Sequence, residues 1–182
     1  MRPRGANATA ALVLAGIVVA AVAAKPGPAS APRAKAVRTA RARGTRPAHP
    51  DFSGTWKLSM TRSSLGKTPG QPRARTDVIE HRDPRLLQTL YMEFPSHKDT
   101  TVYRYLIDST ESVNRAGSQE IKARAWWAGQ VLSIDSRARI LVLEATLKDR
   151  WSVSADGKAL TMRRHIKSVL GEDDQILVFE KQ

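Results

Sequence analysis

The sequence predicts an all-β domain, a single antiparallel up-and-down β-barrel of about 8–10 strands, and three observations lead there. From residue 51 onward, short runs alternate apolar and polar residues with the period of two that a half-buried strand requires. Turn residues recur between the runs, at Asp83-Pro84, Pro95, Ala116-Gly117, Ala128-Gly129, Asp156-Gly157 and Gly171-Glu172. No part of this stretch carries a convincing amphipathic helical period. A meander of hairpins that closes on itself removes the exposed edges a flat sheet would keep.

The first strand is expected within Asp51–Met60, where Trp56, Leu58 and Met60 share one face and Thr55, Lys57 and Ser59 the other. Gly54 gives the chain a tight bend into it. Residues 61–74 read as a polar loop with Pro69-Gly70 and Pro72, long enough to act as a lid or to stay unstructured. Strands are expected over 76–82 and 86–94, the latter with Leu90, Met92 and Phe94 on one face. The next, 101–108, sets Tyr103, Tyr105 and Ile107 together. Further strands are expected over 119–127 and 130–136, followed by a turn at Arg137–Arg139 and a long strand from Ile140 towards Ser154, bent or broken near Lys148. Asp156-Gly157 is read as a two-residue hairpin with positive φ at both turn positions. Leu160, Met162 and Ile166 follow it on one face, Gly171–Asp174 is read as the last turn, and Ile176–Glu180 as the closing strand.

Two segments precede this domain. Arg2 and Arg4 lead into the uncharged, Ala-rich run 8–24, which ends Val22-Ala23-Ala24. That is the pattern of a secretory signal peptide, with an uncleaved N-terminal anchor as the alternative; in both cases the domain is expected to be exported, to the periplasm, the cell envelope or the medium. Residues 25–50 are built from Ala, Pro, Gly, Arg, Lys and Thr and read as a disordered basic linker. The basic residues between 33 and 46 suit an anionic membrane surface as well as plain solvent. No aromatic residue is interleaved with them to stack on bases, so no specific nucleic acid is expected.

The formal net charge of +13 belongs mostly to these segments. Nine of the 30 Lys and Arg, and none of the 17 acids, fall within residues 1–50, which leaves 21 basic against 17 acidic residues in the barrel region. The folded part is therefore only mildly basic, and the charge does not mark it as a nucleic-acid binder. With no cysteine there is neither a disulfide framework nor a thiolate metal site.

Gly54-Thr55-Trp56 resembles the Gly-X-Trp that opens the first strand of lipocalins and related barrels. Residues 51–182 resemble bacterial secreted lipocalin-like proteins of unassigned function. The matching pieces are Phe52–Leu58, Trp127–Leu132, Trp151–Ser154, Asp156–Thr161 and Val178–Lys181, in order and spacing. The resemblance implies that Trp56 packs at the closed end of the barrel beneath an Arg from a late strand. Arg164, on the face of Leu160, Met162 and Ile166, is the candidate, so Gly54, Trp56 and Arg164 are expected to close the barrel. The C-terminal helix and disulfides of true lipocalins have no counterpart here.

Candidate ligand-binding residues are Leu90, Met92, Phe94, Tyr103 and Tyr105, because aromatic rings and flexible apolar chains on one strand face make cavity walls as readily as core. Trp127 joins them. It neighbours Trp126, so one of the two faces inward and the other outward.

No catalytic residue, cofactor or metal site is assigned. His81, His97 and His165 lack metal-ligand spacing, and neither a Gly-X-Ser-X-Gly elbow nor a phosphate-binding glycine loop is present. Glu80-His81-Arg82-Asp83 reads as solvated surface. The sequence thus points to an exported, non-catalytic binding protein for a small apolar or amphipathic, lipid-like molecule. The alternative is a cell-envelope module whose barrel is filled by its own side chains and which acts through its basic arm or outer face.

Overall fold

The computed structural model describes residues 49–182, apart from 68–69 and 141–142. The expected signal or anchor segment and most of the linker lie outside the described residues. Ten antiparallel strands follow in chain order: β1 (Gly54–Leu58), β2 (Ala74–Arg82), β3 (Arg85–Glu93), β4 (Lys98–Leu106), β5 (Glu111–Ala116), β6 (Gln119–Ala128), β7 (Val131–Ile140), β8 (Leu143–Val153), β9 (Ala159–Ser168) and β10 (Gly171–Lys181). They pair in the order β4-β3-β2-β1-β10-β9-β8-β7-β6-β5, so every pair of consecutive strands but β4 and β5 is hydrogen-bonded and the first strand pairs with the last. This is a nearly closed up-and-down barrel.

The period-two pattern decides which residues face inward. Along β3, Leu86, Gln88, Leu90 and Met92 are buried between more exposed neighbours, and along β6 the same holds for Ile121, Ala123 and Ala125. The closed end is packed by one large cluster that includes Phe52, Trp56, Ile79, Leu86, Leu132, Trp151, Leu160, Met162 and Phe179. The Trp56 indole N–H donates to the Phe52 carbonyl at 2.8 Å, which satisfies the one polar atom of a fully buried ring. Gly54 has φ 139°, a conformation closed to most residues carrying a Cβ, and the Lys181 side chain passes directly over it.

Four local expectations change. Strand β5 was not expected, because its inward residues are Ser112, Asn114 and Ala116 and its single large apolar residue, Val113, faces outward. The turn expected at Arg137–Arg139 is strand: β7 continues to Ile140 and pairs with β8 as far as Ile140↔Leu143. Arg137 and Arg139 alternate with inward Ala138, so charge on the outer face is compatible with a strand there. The acidic Gly171–Asp174 stretch is also strand, with Glu172 opposite Lys167 and Asp174 opposite His165. A Lys167–Glu172 ion pair at 2.7 Å and a His165–Asp174 hydrogen bond at 2.9 Å accompany that pairing. The β8–β9 hairpin forms at Asp156-Gly157, but only Gly157 has positive φ, at 71°. A turn closed by Gly157 N–H to the Ser154 carbonyl at 2.8 Å sits inside a Ser154–Ala159 backbone bond of 2.8 Å, so the loop is longer than two residues.

The segment after β1 lies along β10. Ser64 forms an isolated antiparallel bridge with Ile176, and the Lys67 amide donates to the Asp173 carboxylate at 2.9 Å and 3.1 Å.

Candidate functional site

Above the closed-end cluster, the inner wall turns polar. On β2, Arg75 and Asp77 both face inward and form a bidentate pair, Nε to Oδ1 at 2.7 Å and Nη2 to Oδ2 at 2.8 Å. Both side chains are almost wholly buried, and the Gln88 amide of β3 donates to Asp77 Oδ2 at 2.7 Å. On the other side of the barrel, Arg164 of β9 faces Asp149 of β8 in register and pairs with it through Nε and Nη2, both at 2.8 Å. Burial alone would lower the Arg164 guanidinium; the Asp149 charge and its hydrogen bonds outweigh this and hold it above its ordinary range. The belt therefore consists of two ion pairs, each neutral in itself.

Tyr103 and Tyr105 of β4 project into the same zone. Their rings stack with centroids 6.1 Å apart, and Tyr105 meets the Trp151 ring edge-on at 6.5 Å. Burial raises both phenols above their usual range, with Arg164 and Arg75 pulling Tyr103 back down. Both stay protonated at neutral pH as hydrogen-bonding groups. Gln175 of β10 stands opposite Arg164 in register. It is 3% exposed, and its Nε2 has no hydrogen-bond partner among the described residues.

Beyond the belt, Leu90, Met92 and Phe94 form one small cluster and Ala116, Ile121 and Ala138 another. Tyr103 packs against both, and against the closed-end cluster as well. A domain usually has one contiguous core with smaller satellite clusters beside it. Here the inward apolar residues form three clusters that share Tyr103 as the partly buried residue packed on each.

The expected wall residues thus divide by depth. Leu90, Met92, Phe94 and Tyr103 lie along the inner wall towards the end opposite Trp56, and Tyr105 belongs to the closed-end cluster. Trp127 is at the closed end. Its indole stacks on His49 at 4.2 Å and on Phe52 at 5.8 Å, and its N–H donates to Asp83 at 3.1 Å. Trp126 is on the outer side, with the Arg150 guanidinium 5.6 Å from its ring centroid. Arg164 does not lie over Trp56: the cation there is Lys181 Nζ, 5.2 Å from the ring centroid, because Trp56 pairs directly with Lys181 in the β1–β10 ladder while Asp149 holds Arg164 higher up. His81 is not solvated surface either. Its side chain is 6% exposed; Nδ1 accepts the Phe52 amide at 3.3 Å and Nε2 bonds Asp83 at 3.0 Å. Both ring nitrogens are engaged, and the nearby Ser53 hydroxyl bonds the His81 main chain, not its ring.

Sequence reasoning had not singled out Arg75, Asp77, Gln88, Asp149 or Gln175. A signal for them was present: each falls in phase with the apolar residues of its strand, as Asp149 does between Leu147 and Trp151.

The barrel has one seam. β4 and β5 share no backbone ladder, and side chains of β5 bridge them. Asn114 Oδ1 accepts the Arg104 amide at 2.7 Å, Asn114 Nδ2 donates to the Arg104 carbonyl at 3.0 Å, and Ser112 Oγ accepts the Leu106 amide at 3.1 Å. One side-chain amide thus stands in for a peptide unit. A groove of about 500 Å³ opens on this seam between Leu87, Leu106 and Val113 and reaches Tyr105.

No protein-family model matches the chain, and no curated protein matches it. Solved structures do. The zebrafish ileal bile acid-binding protein, in a complex with cholic acid, superposes with a TM-score of 0.52 at 16% identity, over 72% of this chain and 98% of the other. A secretary abundant heat soluble protein of Ramazzottius varieornatus gives 0.48 at 12% identity, over 72% and 95%. At these identities the first likeness is one of fold.

Proposed function

We propose that this chain is an exported, non-catalytic carrier that holds a small amphipathic molecule inside the barrel. The observation that carries the reading is the divided interior: beyond the paired residues of the polar belt lie two apolar clusters distinct from the packed closed end, with Tyr103 packed on all three. Apolar walls with a few placed polar groups are the usual composition of a small-molecule site. The barrel fold shared with a bile acid-binding protein supports the same reading. Residues 1–24 would deliver the domain, and the basic stretch 33–46 would tether it to an anionic surface.

Native mass spectrometry of the full chain, recovered gently from the cells that make it, tests this. A co-purifying mass of lipid size is expected, depleted when Phe94→Ala and Tyr103→Ala are combined. A clean apo mass, together with no response to an uncharged solvatochromic dye, would overturn the reading in favour of a filled barrel acting through its arm or outer surface.

A further inference from the structure

The interior belt points to the class of ligand. We infer that the barrel selects an uncharged amphipathic molecule, whose acceptor oxygen takes the free Gln175 amide N–H, and that it discriminates against carboxylates. This rests on the carrier reading above and narrows it.

Two guanidiniums face the interior, Arg75 and Arg164, and each is already matched by a bidentate carboxylate, Asp77 and Asp149. A bidentate Arg–carboxylate pair occupies two of the cation's five N–H donors and cancels its charge. A ligand carboxylate entering beside either pair would meet a net charge of zero and a second anion within reach of the same guanidinium. Further acids stand on the inward phase of their strands towards the end opposite Trp56: Asp99 on β4 and Asp173 on β10. Among the described inward-facing strand residues, an anion desolvated there finds no cation that lacks a carboxylate partner.

Two of the buried polar atoms left over are donors on the inner wall, and Gln119 Oε1 at the start of β6 is an acceptor. Gln175 Nε2 and Trp151 Nε1 are both buried without a hydrogen-bond partner among the described residues, on side chains 3% and 1% exposed. They lie two strands apart on the barrel wall. Gln175 is opposite Arg164, which is opposite Asp149, and Trp151 is the next inward residue of β8. Buried donors of this kind are normally paired, so a wall that leaves two of them unpaired and shut off from water would be completed by a neutral acceptor such as an ester, amide, ketone or hydroxyl oxygen once the side chains over them give way. A ligand lacking that oxygen leaves them unpaired, which is the stronger basis for discrimination.

The experiment titrates the full chain with an uncharged solvatochromic dye and displaces it with twelve-carbon competitors at pH 8, below their aggregation limits: monolauroylglycerol, lauramide and laurate. Either neutral competitor should displace the dye at a concentration at least tenfold below laurate. In Gln175→Leu the neutral competitors should weaken at least threefold relative to laurate. Asp149→Asn, and separately Asp77→Asn should the first not fold, uncovers a guanidinium and should strengthen laurate at least tenfold. Laurate equal to or better than both neutral competitors in the wild type overturns the inference and leaves the carrier reading standing. So does a Gln175→Leu protein with an unchanged preference. No dye binding at all removes the carrier reading, and this inference with it.

Discussion

Arg164 and Asp149 face each other across the β8–β9 ladder as a bidentate pair, 2.8 Å at both contacts, with the side chains 15% and 8% exposed. Removing one member leaves the other charge buried without a partner, which typically costs about 3–5 kcal/mol. Arg164→Met and Asp149→Leu should each lower the unfolding free energy by about that much, whereas replacing both together should recover most of the loss. Urea denaturation of the three proteins measures it. Single variants within about 1 kcal/mol of wild type would mean that water reaches the pair freely.

Asn114 closes the seam that the backbone leaves open. Its Oδ1 and Nδ2 bond the amide and carbonyl of Arg104, at 2.7 Å and 3.0 Å, and it is 5% exposed. Asn114→Ala strips both bonds from part-buried main-chain groups and should cost about 1–3 kcal/mol. Asn114→Asp keeps the acceptor and loses the donor. Hydrogen exchange should show the Arg104 amide unprotected in Asn114→Ala alone, with the β2–β3 ladder unchanged in both variants.

The seam also shows where the sequence becomes hard to read. Strands β3 and β9 were legible because Leu86, Leu90 and Met92, or Leu160, Met162 and Ile166, repeat every second residue towards a core. In β5 the pattern is inverted: polar Ser112 and Asn114 face inward because they bond β4 and not a core, and Val113 faces solvent at 57% exposure. Turn residues misled where long-range pairing outweighs them. Glu172 and Asp174 look like a loop until Lys167 and His165 are opposite them. Arg164 stood out as a charge on an apolar face, and the same test applied to Arg75, Asp77 and Asp149 finds the belt. Its pairing could not be read, because Arg75 meets a residue two positions away while Arg164 meets one fifteen away.

At Gly54 the backbone, more than crowding, sets the outcome of substitution. φ is 139°, and an added Cβ would come within 2.9 Å of Lys181 Cε, the flexible end of a side chain that can move aside. The backbone cannot relax as easily, because Gly54 pairs with Ile79 in the β1–β2 ladder. Gly54→Ala should therefore destabilise by about 1–3 kcal/mol, and Lys181→Ala in the same chain should recover little of it. Thermal unfolding of the single and double variants distinguishes the two causes. Full recovery in the double variant would assign the cost to Lys181 instead.

The two inner phenols set an alkaline limit. Burial, foremost, holds Tyr105 well above the ordinary 10.0, with Tyr103 and Asp149 adding to it, and burial likewise raises Tyr103. The sign follows from proton binding. Between pH 10 and the folded-state value the folded protein keeps a proton that the unfolded chain releases, so rising pH favours unfolding. The stability these phenols contribute is intact below pH 10 and falls above it, by up to about 1.4 kcal/mol per pH unit for each phenol. Tyr105→Phe removes one of these slopes while keeping the ring against Trp151. Urea denaturation from pH 8 to 11.5 should therefore show a shallower alkaline decline in Tyr105→Phe than in wild type, whatever the lysines contribute to both. Parallel declines would place the Tyr105 hydroxyl in contact with bulk water through the β4–β5 groove, and would make that seam the open side of the barrel.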